Sequence, residues 1–166
     1  MGEASARLEL PFLAVGQAQK EVTHNEALAV LDLAVQATVE AVGLNTPPAA
    51  PAEGQAWIVG PAPTGAWAGR ADALAGWTGG GWRFVPAREG MAAWVANSGV
   101  SARFHGGSWV TGEVSARRVV IDGVPVLGAR RPAIAAPVGG GAPDAEARAA
   151  IAAVLEALRA HGLIAV

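Results

Sequence analysis

Two stretches of the chain have similar sequences and are followed by similar segments. Residues 53–59 read Glu-Gly-Gln-Ala-Trp-Ile-Val, and residues 89–95 read Glu-Gly-Met-Ala-Ala-Trp-Val. Each is followed by a hairpin-like stretch in which Gly-Gly lies between aromatic residues, at 77–82 and at 104–109. A short unit used twice is typical of a repeated β-module. The repeat therefore indicates a binding or assembly protein rather than an enzyme.

Tryptophan is concentrated in this repeat, because all six tryptophans lie between Trp57 and Trp109. An indole ring can fill a thin core, and it can also stack on a sugar while its N–H makes a polar contact. Few other large side chains are present in the chain. We therefore expect four of the tryptophans to fill the β-core: Trp57, Trp82, Trp94 and Trp109.

Trp67 has a different setting, since it lies in a loop at 60–70 that is rich in Pro and Gly. There we expect it to be exposed, or to contact a ligand or another subunit. Arg83 alternates with Trp82 and Phe84, so it should point away from the face that these two residues bury. The candidate ligand-binding residues, for a sugar or a subunit, are Trp67, Asp72, Trp77 and Arg83.

The N-terminal part of the chain predicts one helix. Residues 23–26, Thr-His-Asn-Glu, fit a capping box, and apolar residues at helical spacing follow over 24–34. Residues 35–39 alternate between apolar and polar, which favours a strand, although a helix continued to Val42 also fits the spacing. The apolar segment before the helix is a candidate for docking to a neighbouring subunit through Leu8, Leu10 and Phe12.

The C-terminal part predicts a hairpin and a second helix. Asp122-Gly123 between two β-branched runs is typical of a two-residue hairpin turn, and Pro125 favours an edge strand. Residues 145–161 predict an amphipathic helix with Asp144 as its N-cap and Gly162 just after its end. Its short apolar seam fits either packing on its own domain or self-association. For self-association we expect contacts from Ile151, Val154 and Leu158.

The composition argues against several function classes. The chain has no Cys, so a disulfide framework, a thiolate zinc site and a Cys nucleophile are excluded. The formal net charge is −2 and there is no basic run, which argues against binding to nucleic acid. No apolar run approaches the roughly 20 residues of a membrane-spanning helix, so we expect no membrane insertion.

No group of residues indicates catalysis. The three histidines are far apart in sequence, and none has the spacing of a metal-ligand pair. The carboxylates are few, no Gly-x-Ser-x-Gly motif is present, and the Gly-rich runs lack the Lys-Ser/Thr of a phosphate loop. We therefore expect no catalytic residues, no metal and no cofactor.

Residues 7–28, Arg-Leu-Glu-Leu-Pro-Phe-Leu-Ala-Val-Gly-Gln-Ala-Gln-Lys-Glu-Val-Thr-His-Asn-Glu-Ala-Leu, resemble the opening of an uncharacterised domain family. The loop at 64–69, the hairpin at 80–84 and the C-terminal stretch 144–164 are also similar to members of that family. The family occurs among structural proteins of alphaproteobacterial prophages and gene transfer agents. The resemblance implies a structural protein of a phage-like particle, of the head-spike or tail-fibre type.

These observations together predict a mainly β fold. It would be a small antiparallel β-domain of repeated Trp/Gly hairpins with an N-terminal helix and a C-terminal amphipathic helix. We expect three parts: an N-terminal docking segment and helix at 1–46, the β-hairpin repeat domain at 47–131, and a linker with the C-terminal helix at 132–166.

The function that we expect from the resemblance is a head spike or fibre on the surface of a phage-like particle, assembled in the bacterial cytoplasm. Its partners would be further copies of itself, as a trimer or pentamer, capsid or other spike and fibre subunits, and host capsular polysaccharide. Two alternatives stay open. One is a tail-fibre or baseplate adaptor without sugar binding, and the other is a carbohydrate-binding accessory module of a cell-wall enzyme.

Overall fold

A computed structural model of the chain describes residues 4–16, 20–138 and 144–165. They form two compact units, residues 1–113 and 114–166. The helices are α1 (Lys20–Ala34) and α2 (Ala145–Ala160). The strands are β1 (Thr38–Val39), β2 (Val42–Leu44), β3 (Ala56–Val59), β4 (Leu74–Thr78), β5 (Gly81–Val85), β6 (Ala92–Val95), β7 (Val100–His105), β8 (Ser108–Thr111), β9 (Val119–Ile121) and β10 (Val124–Leu127).

The predicted mainly β fold with a helix near each end is confirmed. The first unit holds two four-stranded sheets: sheet 1 has the order β2-β3-β4-β5 and sheet 2 the order β1-β6-β7-β8. Both sheets are mixed, because β2 pairs parallel with β3 and β1 pairs parallel with β6, while the other pairs are antiparallel.

The sequence repeat is a repeat of structure. Each copy supplies a three-stranded antiparallel meander, β3-β4-β5 in sheet 1 and β6-β7-β8 in sheet 2. Gly54 and Gly90 enter their meanders at φ values of 85° and 84°, a left-handed conformation that glycine adopts without a steric penalty. Glu53 and Glu89 lie beside the glycine turns of their own meanders, near Gly79 and Gly106. Each carboxylate therefore has the same place in its unit.

The segment between α1 and β3 joins the two sheets. Its first strand, β1, belongs to sheet 2, and its second strand, β2, belongs to sheet 1. A second link comes from Trp109 of β8, whose indole Nε1–H donates to the carbonyl oxygen of Asp72 beside β4 at 2.8 Å. The strand predicted over 35–39 is present only as β1, because residues 35 and 36 form the turn after α1.

The main core lies between sheet 1, sheet 2 and α1. Its buried side chains are Leu33, Ala37, Val39, Ala56, Ile58, Leu74, Ala93, Val95 and Ala102. Leu33 of α1 lies directly over Gly76 of β4, and a Cβ added at Gly76 would lie 2.1 Å from Leu33 Cδ2. The absence of a side chain at Gly76 therefore allows α1 to approach the sheet closely.

The predicted capping box at 23–26 is wrong, because α1 begins at Lys20 and Thr23 lies inside it. Tertiary contacts hold this part of the helix instead, as they do for most helices in proteins. The buried Asn25 side chain exchanges two hydrogen bonds with the backbone of Leu13, at 2.9 and 3.0 Å. The buried Asp32 carboxylate accepts from Ser5 Oγ at 2.8 Å and from the backbone N–H of Leu8 at 2.6 Å.

The second unit contains the β9–β10 hairpin and α2. Asp122 and Gly123 form its turn at φ values of 48° and 80°, as the sequence predicts. The predicted ends of α2 are also present: Asp144 Oδ1 accepts from Ala147 N–H at 2.9 Å, and Gly162 follows the helix at φ 68°. The packing groups this hairpin with α2, whereas the boundaries drawn from the sequence placed it with the repeat.

Candidate functional site

Four tryptophans form one cluster on a single face of sheet 1. We call this the aromatic face; it carries Trp57, Val59, Ala75, Trp77, Trp82 and Phe84. Trp67 from the loop before β4 lies on it, with ring centroids 6.3 Å from Trp57 and 5.1 Å from Trp82. The rings meet at tilted or edge-on angles, which aromatic pairs prefer over face-to-face stacking.

The expectation that Trp67 is exposed is wrong, because its side chain is 0% exposed. The loop that carries it is held against the preceding segment by Thr64 N–H, which donates to the carbonyl oxygen of Asn45 at 2.8 Å. Burial of so large an apolar ring outweighs the tendency of a Pro- and Gly-rich loop to lie at the surface. Trp67 therefore covers the aromatic face and has no ring face free for a sugar.

The other predicted ligand-binding residues do not form one site. Asp72 is half-buried, and its carbonyl oxygen accepts the Trp109 bond described above. Trp77 is half-buried in the aromatic cluster, with its ring centroid 5.0 Å from that of Trp82. Arg83 lies on the opposite face of sheet 1, as its alternation with Trp82 predicts. The structure thus brings Trp67 and Trp77 together in the aromatic cluster, places Arg83 on the opposite face of sheet 1, and gives Asp72 a backbone contact with Trp109.

Arg83 connects β5 to α1 through a two-point ion pair. Its Nε and Nη2 atoms donate to the two carboxylate oxygens of Glu26, both at 2.5 Å. Its Nη1 donates to the carbonyl oxygens of Gly80 and Trp82. The hydrogen bonds from Arg83 hold the pKa of Glu26 below its usual value, against the opposing effect of partial burial. The guanidinium is therefore committed to the fold rather than open to a ligand.

Trp94 lies at the surface, and the prediction that it is buried is wrong. We predicted it in the core, but its side chain is 48% exposed. The backbone N–H of Ile58 donates to the carbonyl oxygen of Ala41, and the backbone N–H of Trp94 donates to the carbonyl oxygen of Ala37. Trp94 therefore corresponds to Ile58 in the repeat, and Ala93 corresponds to Trp57. Because side chains alternate along a strand, this one-residue offset puts Trp94 on the opposite face.

Trp94 belongs to a face of sheet 2 that the described part of the chain leaves exposed. We call it the open face; its residues on β6, β7 and β8 are Ala92, Trp94, Ser101, Arg103 and Val110. A shallow depression on this face is lined by Trp94 and Ala92 together with Gln36, Ala37, Ala93 and Ser101. Arg103 lies opposite Ala92, diagonally next to Trp94. The open face therefore combines one flat indole with a cation and several small side chains.

The open face differs from the equivalent face of sheet 1 in one decisive position. Arg103 pairs with Ala92 as Gly76 pairs with Ala56, so Arg103 occupies the place at which sheet 1 has no side chain. Leu33 of α1 needs that empty space to pack on sheet 1. A helix therefore cannot pack on sheet 2 as α1 packs on sheet 1, because the Arg103 side chain fills that space. Among the described residues, the side chains of Arg103 and Trp94 have no hydrogen-bond, ion-pair or ring partner.

His105 and Glu89 pair at the turn between β7 and β8. His105 Nδ1 is in hydrogen-bond contact with one carboxylate oxygen of Glu89, and Gly106 N–H donates to the other at 3.1 Å. The contact with His105 lowers the pKa of Glu89. Both side chains are exposed, and this pair closes the hairpin turn. In residues 4–16, 20–138 and 144–165 no group of three or more metal-ligating side chains occurs.

The predicted assembly residues are accessible in part. On α2, Ile151 and Val154 are exposed and Leu158 is half-buried, whereas Leu155 packs inward. In the N-terminal segment Leu8 is exposed, and Leu10 and Phe12 are half-buried. Their roles in oligomerisation and docking stay predictions. None of the helices in the described part of the chain is long and apolar enough to cross a membrane.

A protein-family model matches residues 24–110 of the chain. The matched family is described as a protein of unknown function, DUF2793. The chain belongs to this family. The DUF2793 region runs from α1 through β8, so it contains both copies of the repeat, the aromatic cluster and the open face. The comparison with curated proteins finds no match.

Proposed function

We propose that this DUF2793 protein is a structural subunit of a phage-like particle, a gene transfer agent or prophage, and forms a head spike or fibre that binds host capsular polysaccharide. The particle assignment is supported by the resemblance of residues 7–28 to structural proteins of such particles. The sugar-binding part is carried by one observation, the exposed indole of Trp94 on the open face.

The open face has the chemistry that a sugar needs. The apolar C–H face of a pyranose ring stacks on an indole, while polar groups around it bind hydroxyl or carboxylate groups. Trp94 supplies the indole, and Ser101, Arg103 and Gln36 supply polar groups close to it. Arg103 has no partner within the described residues, so a uronic acid or another acidic sugar would gain a charge-assisted hydrogen bond there.

Self-assembly is supported by the apolar surface of the second unit. Among its described residues, Leu155 and Ile164 are the buried large apolar side chains, while those of both strands of the β9–β10 hairpin are exposed. An isolated two-stranded hairpin is marginally stable in water. Contacts between copies, through the exposed Ile151 and Val154 of α2, would remove this surface from water.

Particle fractionation tests the structural role. Phage-like particles are separated from soluble protein on a density gradient, and the chain is detected with an antibody against it. Co-migration with the major capsid protein, and gold-labelled antibody at capsid vertices or tail tips, are the expected results. A chain that stays with soluble protein or with a cell-wall hydrolase would refute the particle role and favour the accessory-module alternative.

A further inference from the structure

The second unit contains a groove in which four arginines meet. They lie in two neighbouring pairs along the chain, Arg117 with Arg118 and Arg130 with Arg131. The rest of the lining consists of small and aliphatic residues and carries no carboxylate among the described residues: Pro125, Val126, Leu127, Gly128, Ala129, Pro132, Gly162 and Leu163. Because no carboxylate of the lining balances these four positive charges, the groove has a positive electrostatic potential.

Arg130 is held by its side chain and Arg131 by its backbone, whereas Arg117 and Arg118 are open to a ligand. Arg130 Nε donates to the carbonyl oxygen of Ile164 at 3.0 Å. The backbone of Arg131 makes two hydrogen bonds with the segment after α2, to Leu163 and Ala165. The side chains of Arg117 and Arg118 have no hydrogen-bond or ion-pair partner in the described part of the chain, and both are exposed. They are therefore available for bidentate contacts with carboxylates.

The walls of the groove indicate which kind of anion it takes. Residues 114–166 contain no Trp, Tyr or Phe, and none of the residues that line the groove carries an aromatic ring on which a sugar or a base can stack. Its walls are instead aliphatic, with Val126, Leu127 and Leu163 beside the arginines. Aliphatic walls next to guanidinium groups match a peptide in which carboxylate side chains alternate with aliphatic ones.

We propose that this arginine groove is a docking site for an acidic segment of a partner protein, one that carries both carboxylate and aliphatic side chains. The carboxylates pair with Arg117 and Arg118, and the aliphatic side chains pack on Val126, Leu127 and Leu163. The charge of the unit agrees with this choice, because residues 114–166 carry six arginines and four acidic residues, a formal net charge of +2. This docking site is independent of the sugar-binding proposal, which concerns sheet 2.

The test is fluorescence anisotropy with the full-length chain and a labelled twelve-residue peptide of alternating Glu and Leu. In the double variant Arg117→Gln/Arg118→Gln two charges are removed without loss of a hydrogen bond that holds the fold. We expect this variant to bind about tenfold more weakly, because two charge-assisted contacts are lost. The matched control is Lys20→Gln/Arg88→Gln, which removes the same charge from two exposed side chains of the first unit and should leave the dissociation constant within about twofold.

Three further ligands decide the class of partner. A Gln-Leu peptide without charge and a Glu-Gly peptide without aliphatic side chains should both bind more weakly than the Glu-Leu peptide. Equal binding of either one would overturn the proposal. So would tighter binding of alginate or of single-stranded DNA through Arg117 and Arg118. Light scattering measures self-association of the chain. If the wild type self-associates and Arg117→Gln/Arg118→Gln abolishes this association, the proposal is also overturned, because the occupant of the groove would then be a second copy of this chain.

Discussion

Replacement of Gly76 by Ala tests how closely α1 packs on sheet 1. The new Cβ would lie 2.1, 2.6 and 2.8 Å from Leu33 Cδ2, Cδ1 and Cγ. Carbon atoms in good contact are about 3.5–4.0 Å apart, so α1 has to move or Leu33 has to leave its rotamer. Overpacking of this kind costs about 1–3 kcal/mol of the free energy of unfolding.

A double-mutant cycle separates this clash from other effects. Leu33 is 1% exposed, so Leu33→Ala alone should cost about 2–5 kcal/mol through lost burial and the cavity left behind. In the double variant Gly76→Ala/Leu33→Ala the clash is absent, and the added methyl group fills part of the cavity. The two changes should therefore cost less together than the sum of their separate effects, by about 1–3 kcal/mol.

Urea denaturation followed by tryptophan fluorescence measures these energies. All six tryptophans lie in the first unit, so the signal reports the unit that contains Gly76. The control is Arg103→Ala, which changes the equivalent position of the second repeat on an uncovered face and should alter stability by at most about 0.5 kcal/mol. A Gly76→Ala variant as stable as the wild type, or additive single and double variants, would refute the close packing.

Three further predictions concern other parts of the structure. Trp67→Ala should lower the free energy of unfolding by about 3–5 kcal/mol, because Trp67 is fully buried. Trp94→Ala should lower it by less than about 1 kcal/mol, because Trp94 is exposed. Urea denaturation followed by circular dichroism compares the two variants. Glu26→Gln should cost about 1 kcal/mol at pH 7, a value reduced for the partial exposure of its pair with Arg83. Since the folded-state pKa of Glu26 lies below the unfolded value near 4.5, the wild-type advantage is present above pH 4.5 and is lost as the pH falls through the folded-state pKa. Gly162→Ala should destabilise the end of α2 by about 1–2 kcal/mol, seen as faster amide exchange there, because alanine is strained at φ 68°.

Local signals in the sequence predict the regular elements well. The Asp122-Gly123 turn and the Asp144 cap need only a few neighbouring residues, and both are present in the structure. The Thr-His-Asn-Glu motif at 23–26 has the same kind of local signal, yet α1 begins before it. There the long-range contacts of Asn25 and Asp32 outweigh the local preference of the motif. Local chemistry thus predicts an element where no tertiary contact competes with it.

Burial within the repeat is harder to predict, because it depends on register and on what covers each face. The two Glu-Gly motifs align Trp57 with Ala93 and Ile58 with Trp94, and this one-residue offset is visible in the sequence. Counting from the Glu-Gly motif, rather than from the tryptophans, would have placed Trp94 on the other face. The burial of Trp67 has no comparable signal, since it requires the loop at 60–70 to fold back on sheet 1.

Titration of purified host capsular polysaccharide onto the full-length chain, with heat of binding as the signal, tests the central claim most directly. We predict that the wild type binds, that Trp94→Ala binds about tenfold more weakly through the loss of one stacking contact, and that Trp94→Phe keeps most of the affinity. Equal binding by the wild type and Trp94→Ala, or no binding by the wild type, would contradict the assignment of the open face as the sugar-binding surface.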